Sequence, residues 1–164
     1  MSNLDLHVSK WGLKFSGKYF PASIGKNGVT AHKKEGDSKT PNGEHKIVGV
    51  LYRPDRLVRP CAWAKAIKLS DIWSDDVNDP CYNLIGKQPH EYSHELLRRP
   101  DPLYDIILLT DWNWPLPIRG KGSAIFIHSW RKPRHPTEGC VALAPNHLLW
   151  ITKRLKTSSK IFIK

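Results

Sequence analysis

Short apolar runs that end at Gly, Pro or Asp leave few folds open to this chain. Three of them, at residues 45–53, 104–112 and 123–130, are rich in Ile, Val and Leu, which is typical of strands buried on both faces. Residues 4–10 alternate apolar and polar side chains instead, which predicts a strand with one buried face. The sequence therefore predicts a mainly β protein.

Turn and helix signals complete this prediction. Ser16 and Gly17 lie between two apolar segments, which predicts a hairpin near the start of the chain. Residues 144–156 carry an apolar stripe with Pro145 in the first turn, so one clear helix is expected there, and residues 160–164 alternate as a short final strand. We therefore predict the α+β class, mainly β with one or a few short helices.

The length and composition fit one globular domain. A chain of 164 residues is the size of a single domain, which we place at residues 1–164. No apolar run approaches the ~20 residues that a membrane span needs, so none is expected. Residues 54–102 are polar and weakly periodic, and we expect a long loop there, because structureless loops of that length usually carry function.

The net charge of +11 at pH 7 predicts attraction to polyanions such as nucleic acid, acidic lipids or an anionic wall polymer. Lys and Arg are scattered along the chain, and no signature of a nucleic-acid-binding module is present. A solvated basic surface is therefore favoured over a specific nucleic-acid site. The oligomeric state is left open by the sequence.

The three cysteines, Cys61, Cys81 and Cys140, are odd in number and form no Cys-x-x-Cys pair, which argues against a disulfide framework or a zinc knuckle. At least one thiol is expected to stay free, and Cys61 and Cys81 are interpreted as structural. The N-terminal residues lack an early cationic cluster and an unbroken apolar core, so a secretory signal peptide is not predicted. Export by another route and action inside the cell both stay open.

The apolar run at residues 123–130 contains His128. A short polar loop follows it, and Cys140 comes directly after Gly139. A thiol has a pKa of about 8.5, so it becomes a good nucleophile at neutral pH when a neighbouring imidazole favours the thiolate. The amides of Gly139 and Cys140 are candidates for an oxyanion hole. Two other interpretations stay open here: a packed histidine beside a buried thiol, and a metal site that recruits His135 or His147.

These residues resemble the signature of the L,D-transpeptidase catalytic domain, also called the YkuD domain. In that family a His at a strand end is followed by Ser or Thr, one variable residue, Gly, Cys and an apolar residue. The matching positions are His128, Thr137, Glu138, Gly139, Cys140 and Val141. Residues 35–47 resemble a second hallmark, Thr-Pro-x-Gly, at Thr40, Pro41 and Gly43. The resemblance covers nearly the whole chain and is to the compact branch that lacks separate wall-binding domains.

The resemblance implies a YkuD-like β-sandwich or barrel-like catalytic domain that acts on peptidoglycan stem peptides without a cofactor or a metal. Cys140 is then the nucleophile, His128 its base and Gly139 part of the oxyanion hole, and an amine of a second stem opens the thioester. If water opens it instead, the protein is an L,D-carboxypeptidase. A basic module that holds wall fragments or nucleic acid without turnover is the alternative from another class. The family also implies a place in the cell envelope or periplasm.

Polar side chains near the motif, or in the long polar segment before it, are candidates for substrate binding. They are Thr137, Tyr82, Asn83, Ser93, His94 and Arg131. For Asn83 the alternative is a turn cap, and for His94 it is the start of a short helix. Arg131 offers paired hydrogen bonds to a substrate carboxylate, or it is a solvated loop charge. Two departures from the family stand beside these candidates: Ala142 replaces a common Arg or Asn, and the loop before Cys140 is short.

Overall fold

The computed structural model describes residues 3–164, which form fifteen strands and one α-helix. The strands are β1 (Leu6–Ser9), β2 (Gly12–Phe15), β3 (Lys18–Phe20), β4 (Ala22–Ser23), β5 (Val29–Thr30), β6 (Thr40–Pro41), β7 (Gly43–Tyr52), β8 (Ala64–Ala66), β9 (Asp71–Ser74), β10 (Ile85–Lys87), β11 (His94–Leu96), β12 (Ile106–Thr110), β13 (Phe126–Ser129), β14 (Val141–Leu143) and β15 (Lys160–Ile163). The helix is α1 (Pro145–Thr152), and a 3-10 turn covers Pro102–Tyr104. The predicted mainly β class is confirmed.

Ten strands form one sheet in the order β3-β2-β1-β15-β7-β12-β13-β14-β4, with β8 paired to β7. The first and last strands of this order, β3 and β4, are consecutive in the chain and are separated by Pro21 alone. The two ends of the sheet are thus tied together by the backbone, which makes a nearly closed, barrel-like sheet. Closure of this kind protects strand edges that would otherwise pair with other chains.

The predicted strands form because their apolar side chains share one face. In β1 the buried residues are Leu6 and Val8, and in β2 they are Leu13 and Phe15, so each strand alternates between the core and the outer face. The turn between β2 and β3 has positive φ at Ser16 (48°) and Gly17 (74°), the geometry that a tight hairpin requires.

The core lies inside this sheet, and the helix packs against it. Leu148 and Ile151 of α1 are fully buried, and they join the apolar side chains of β1, β7, β12, β13, β14 and β15. The described part of the chain, residues 3–164, holds no helix of the length and apolar character needed to cross a bilayer.

The expectation of a long structureless loop at residues 54–102 is wrong. This segment contains β8 and a separate three-stranded sheet in the order β10-β9-β11. Its strands have three or four residues each, too few to show a clear period in the sequence. His94 accordingly begins strand β11 and not a helix.

Candidate active site

His128 and Cys140 reach the same cleft because their strands are neighbours. Strand β13, which carries His128, pairs in parallel with β14, and His128 is opposite Ala142 in the register. Cys140 directly precedes β14. Both side chains line a cleft of about 280 Å³ together with Trp130 and Arg131. The tertiary structure thus brings together the two residues that the sequence motif separates by twelve positions.

The Cys140 sulfur is held by the backbone of the segment that leads into β13. Its Sγ donates to the Ala124 carbonyl at 3.2 Å and accepts from the Phe126 N–H at 3.4 Å. Burial, reinforced by the negative charge of Glu95, raises the pKa of this thiol to about 12. At neutral pH the free protein therefore holds a neutral thiol, not the preformed thiolate expected from a neighbouring imidazole, because burial disfavours the charged form.

His128 is a neutral imidazole with a defined tautomer. Its Nδ1 lies 2.8 Å from the Ser129 carbonyl oxygen, and since a carbonyl only accepts, Nδ1 carries the proton and Nε2 does not. Burial, and then the nearby positive charge of Arg99, lowers the pKa of His128 to about 4. The ring of Tyr104 packs edge-on against the imidazole, with 5.3 Å between centroids. The unprotonated Nε2 is therefore available as a base throughout the neutral pH range.

The turn before Cys140 is fixed by one threonine. The Thr137 hydroxyl donates to the Cys140 carbonyl at 2.5 Å and accepts from the Gly139 N–H at 3.1 Å. Gly139 has φ +148°, and an added Cβ would lie 3.0 Å from the Lys39 carbonyl oxygen, so glycine is required here. Because the Gly139 amide is already bonded in the free protein, the predicted oxyanion hole is not open as it stands.

The second sequence hallmark meets the first at this turn. Thr40 is fully buried, and its hydroxyl donates to the Gly139 carbonyl and accepts from the Gly25 N–H, both at 2.8 Å. The Thr-Pro-x-Gly segment therefore supports the backbone next to Cys140 and does not itself line the cleft next to His128.

A second cleft, of about 420 Å³, also reaches Cys140. We call it the acidic cleft, because it is lined by Glu35, Asp75 and Glu95, and the first one the arginine cleft, after Arg99 and Arg131. The acidic cleft also contains Lys33, whose Nζ forms a salt bridge with Asp37 at 2.6 Å. Cys140 lies where the two clefts meet, so two different groups can approach its sulfur.

Two acidic groups of these clefts have unusual environments. Burial raises the pKa of Glu95, which accepts a hydrogen bond from the Tyr104 hydroxyl. Asp75 has one carboxylate oxygen, Oδ1, that is buried without a hydrogen-bond partner in the described part of the chain. A buried acceptor of this kind is costly without a donor. The carboxylates that line the acidic cleft make it attractive to a cationic group.

Tyr82 and Asn83, proposed from the sequence for the acyl-donor groove, line neither cleft. Tyr82 is 1% and Asn83 0% exposed, and the Tyr82 hydroxyl donates to Glu35 at 2.5 Å. Asn83 has φ +56°, and its Oδ1 accepts from the Ala124 N–H at 2.8 Å. Neither residue therefore lines the proposed acyl-donor groove. Asn83 has the positive φ of a turn residue, and it binds the N–H of Ala124, whose carbonyl accepts from the Cys140 thiol.

The other sequence candidates divide between the clefts and the surface. Thr137 and the exposed Arg131 line the arginine cleft, and Ser93 lines the acidic cleft. His94 is in β11, where its Nδ1 donates to the Tyr92 carbonyl at 2.7 Å, and it is outside both linings. This placement leaves Arg131 and Ser93 as candidates and gives His94 no part in either cleft.

Three further residues line the arginine cleft with His128 and Cys140 and were not predicted from the sequence: Glu95, Arg99 and Tyr104. The Arg99 guanidinium lies over the Tyr104 ring, 5.3 Å from its centroid, and is bonded to Asp101 through two nitrogens. Glu95 and Arg99 come from the segment that was predicted to be a loop, and Tyr104 begins the apolar run at residues 104–112, which marks it only as a strand residue.

Cys61, Cys81 and Cys140 are all free thiols. Within residues 3–164, no three His, Cys, Asp or Glu side chains are grouped so as to hold a metal ion.

Comparison with known proteins adds a family match. The family model of the L,D-transpeptidase catalytic domain, YkuD, matches residues 14–163. The solved structure of an L,D-transpeptidase from Mycobacterium smegmatis aligns with a TM-score of 0.46 and 13% identity, over 97% of this chain and 57% of that one. This chain thus spans little more than half the length of that protein. The comparison with curated proteins found no match.

Proposed function

The chain belongs to the L,D-transpeptidase catalytic domain family, and from this premise we propose that it is a cysteine-dependent acyltransferase that cross-links peptidoglycan stem peptides. The observation that carries the proposal is the presence in one cleft of the Cys140 thiol and a neutral His128 whose Nε2 has no proton. A nucleophile beside a base of fixed tautomer is the arrangement that acyl transfer needs.

In the first step, Cys140 Sγ attacks the carbonyl carbon at the L-centre of diaminopimelate in the donor stem, and its proton passes to His128 Nε2. Because the pKa of the thiol lies above that of the imidazole, the proton moves as the carbon–sulfur bond forms and not before it. The tetrahedral oxyanion is stabilised by backbone N–H donors at Cys140 and, once the substrate displaces its bond to Thr137, at Gly139. Collapse expels D-alanine, whose amine takes the proton from His128, and a thioester remains on Cys140.

In the second step, an amine of another stem attacks the thioester carbonyl and gives a proton to His128 Nε2. The carbon–sulfur bond breaks, and the Cys140 thiolate regains that proton. A new amide bond joins the two stems, so no atom or electron pair is left over. Water in place of the amine gives L,D-carboxypeptidase activity with the same residues.

The two clefts support transfer over hydrolysis. A hydrolase needs one peptide site and a water, whereas two clefts that meet at Cys140 offer separate sites for a donor and an acceptor. We assign the carboxylate-bearing donor to the arginine cleft, where Arg131 is exposed, and the ammonium-bearing acceptor to the acidic cleft, which is lined by Glu35, Asp75 and Glu95. This function requires the protein to reach the cell envelope, where its polymer substrate lies.

The test is incubation of the purified protein with a disaccharide tetrapeptide, followed by mass spectrometry. A cross-linked dimer with release of D-alanine is the expected product. A tripeptide product without a dimer would indicate an L,D-carboxypeptidase. Unchanged substrate would indicate a binding module without turnover. The Cys140→Ala variant is the matched control, and it must give no product.

A carbapenem provides a second measurement that does not depend on the acceptor. The drug is expected to acylate the wild-type protein and to increase its mass by one adduct, located on Cys140 by peptide mapping. An adduct at Cys61 or Cys81, or none at all, would contradict the assignment of the nucleophile.

A further inference from the structure

Glu95 lies where the two clefts meet. Within residues 3–164, both clefts are lined by three residues only, which are Glu95, Glu138 and Cys140. His128 lines the arginine cleft and not the acidic cleft. An acceptor that approaches Cys140 through the acidic cleft therefore passes Glu95 in its wall, and His128 is not in that wall to receive a proton.

Glu95 has one carboxylate oxygen that is held and one that is free. Its Oε2 accepts a hydrogen bond from the Tyr104 hydroxyl, and the Tyr104 ring packs edge-on against His128. Its Oε1 has no hydrogen-bond partner in the described part of the chain and is not a buried atom. The unpaired Oδ1 of Asp75, in contrast, is buried. Glu95 is thus oriented by a tyrosine and still offers an accessible acceptor to a ligand.

The other glutamates of the acidic cleft are already engaged through both carboxylate oxygens. Glu138 accepts from the Lys26 Nζ at 3.0 Å and from the Ser38 hydroxyl at 2.5 Å. Glu35 accepts from the Ser123 N–H at 2.8 Å and from the Ser123 hydroxyl at 3.3 Å. The glutamate with a free oxygen is therefore also the one that lines both clefts with the nucleophile.

The surroundings of Glu95 make it a stronger base than an ordinary carboxylate. Burial raises its pKa, and the negative charges of Asp75 and Glu35 add to this effect. The hydrogen bond from Tyr104 and the positive charge of Arg99 oppose the rise without reversing it. A pKa that is closer to the working pH improves proton transfer by a general base.

The second step of acyl transfer needs such a base. An amine of a stem peptide is an ammonium ion at neutral pH, and an ammonium ion has no lone pair with which to attack a thioester. Because the pKa of His128 is lowered to about 4, its imidazole is a poor acceptor for a proton that is held this strongly. A carboxylate also attracts the ammonium by its charge, which a neutral imidazole does not.

We propose that Glu95 is the base that takes a proton from the ammonium group of the acceptor stem, and that it thereby favours transfer to an amine over hydrolysis. This inference rests on the proposed function and assigns a catalytic residue to its second step. Water is uncharged and does not have to lose a proton before it attacks, so hydrolysis needs no base in the acidic cleft.

The three protons of the acceptor ammonium go to three different atoms. One passes to Glu95 Oε1, and the lone pair that it leaves behind forms the bond to the thioester carbonyl carbon. A second passes to His128 Nε2 and from there to the Cys140 sulfur as the carbon–sulfur bond breaks. The third stays on the new amide nitrogen, and Glu95 returns its proton to water through the acidic cleft.

The experiment compares the wild type with Glu95→Gln, which keeps the size of the side chain but is a very weak base. Release of D-alanine from a donor tetrapeptide in the first turnover measures acylation. The acyl-enzyme then receives either a stem tripeptide, whose amine is charged, or hydroxylamine, which is mostly uncharged at neutral pH. Mass spectrometry quantifies the dimer and the hydroxamate. Glu91→Gln is the matched control, since Glu91 is exposed and outside both clefts.

Glu95→Gln is expected to form the dimer ~10²-fold more slowly than the wild type, the loss typical of a general base. Hydroxamate formation is expected to be unchanged, because hydroxylamine has no proton to lose before it attacks. D-alanine release is expected to be no slower, since the removed charge disfavoured the Cys140 thiolate. Unchanged dimer formation would overturn the proposal, and so would an equal loss of dimer and hydroxamate.

The wild type provides a measurement that does not depend on the folding of a variant. Without a protein base, dimer formation would follow the uncharged fraction of the acceptor amine and rise about tenfold per pH unit below the amine pKa. With Glu95 as the base the bound ammonium is the reacting form, so the rise from about pH 6 to 8 is expected to be less than about tenfold in total. A rise of about a hundredfold over that range would overturn the proposal.

The two proposals fail in different ways. If the wild type releases no D-alanine and forms no dimer, the acyl-transfer function is wrong and the role of Glu95 falls with it. If the wild type releases D-alanine and forms the dimer, and Glu95→Gln forms it equally fast, the function stands and only the role of Glu95 is lost.

Discussion

The buried hydroxyl of Thr40 donates to the carbonyl oxygen of Gly139 at 2.8 Å, across 99 positions of the chain. It joins the two segments that the sequence marked as hallmarks, and it accepts from the Gly25 N–H as well. The backbone that presents Cys140 is therefore held by a residue that is distant in sequence and lies outside the lining of the arginine cleft.

Thr40→Val removes that hydroxyl while keeping the shape of the side chain. It leaves a buried carbonyl at Gly139 and a buried N–H at Gly25 without partners, which we expect to cost about 3 kcal/mol of unfolding free energy. Acylation by a carbapenem is expected to slow as well, because the Cys140 turn relaxes. Thr40→Ser, which keeps the hydroxyl, is the control, and urea unfolding is the measurement. Equal losses in both variants would mean that the methyl group matters and the hydrogen bonds do not.

Cys140→Ser is expected to abolish turnover of the tetrapeptide without unfolding the protein. A serine hydroxyl is much harder to deprotonate than a thiol, and His128 with a lowered pKa is a weak base. Cys81→Ser is the matched control, since Cys81 is an exposed free thiol. Product is quantified by mass spectrometry. A serine variant with near-normal rates, or a folded but inactive Cys81→Ser protein, would disprove the assignment of the nucleophile.

The pH dependence of acylation follows from the buried imidazole. Burial lowers the pKa of His128 to about 4, so the imidazole stays unprotonated above that pH. The acylation rate is therefore expected to be constant between about pH 5 and 8 and to fall when the pH is lowered through about 4. His128→Asn is expected to be ~10²–10⁴-fold slower across this range. The rate is followed by the loss of carbapenem absorbance. A fall centred on the ordinary histidine pKa of about 6.5 would show that water reaches the imidazole in the free protein.

The same histidine makes folding stability depend on pH. Its pKa is about 4 in the folded protein and about 6.5 in the unfolded chain, so above pH 6.5 neither state binds the proton. As pH falls from about 6.5 to 4, only the unfolded chain binds it, and the folded state loses about 3 kcal/mol. Below that the loss is constant. Urea unfolding at pH 7 and pH 4 measures the decrease in unfolding free energy between the two pH values. We expect this decrease to be larger in the wild type than in His128→Asn, and equal decreases would count against a buried neutral His128.

Arg131→Ala tests the assignment of the arginine cleft to the carboxylate-bearing donor. Arg131 is an exposed residue of the cleft lining, so we expect about a tenfold rise in KM for the tetrapeptide with little change in kcat, the size of one charge-assisted hydrogen bond that is partly screened by solvent. Arg119→Ala, another exposed arginine outside both clefts, is the control. A lowered kcat at unchanged KM would argue that Arg131 acts on the reacting atoms and not on substrate binding.

Individual strands were predictable because burial imposes a local pattern. The alternation of Leu6 and Val8, the apolar run at residues 104–112 and the Ser16–Gly17 turn each indicated an element that the structure contains. The short strands β9, β10 and β11 were not predictable, since three or four residues do not show a period. Their misassignment hid Glu95, which lines both clefts.

The sequence by itself indicated most of the longer strands and selected His128 and Cys140 as the candidate pair, because both predictions depend on residue types close together in the chain. Only the tertiary structure decided that Tyr82 and Asn83 are buried supports, that Thr40 holds the Gly139 carbonyl, and that two clefts meet at one sulfur. It also decided that the resting pair is neutral, with the pKa of Cys140 raised and that of His128 lowered. The physical reason is that burial and long-range contacts set the hydrogen-bond partners and the protonation states of these side chains. Neither can be predicted from the spacing of residues along the chain.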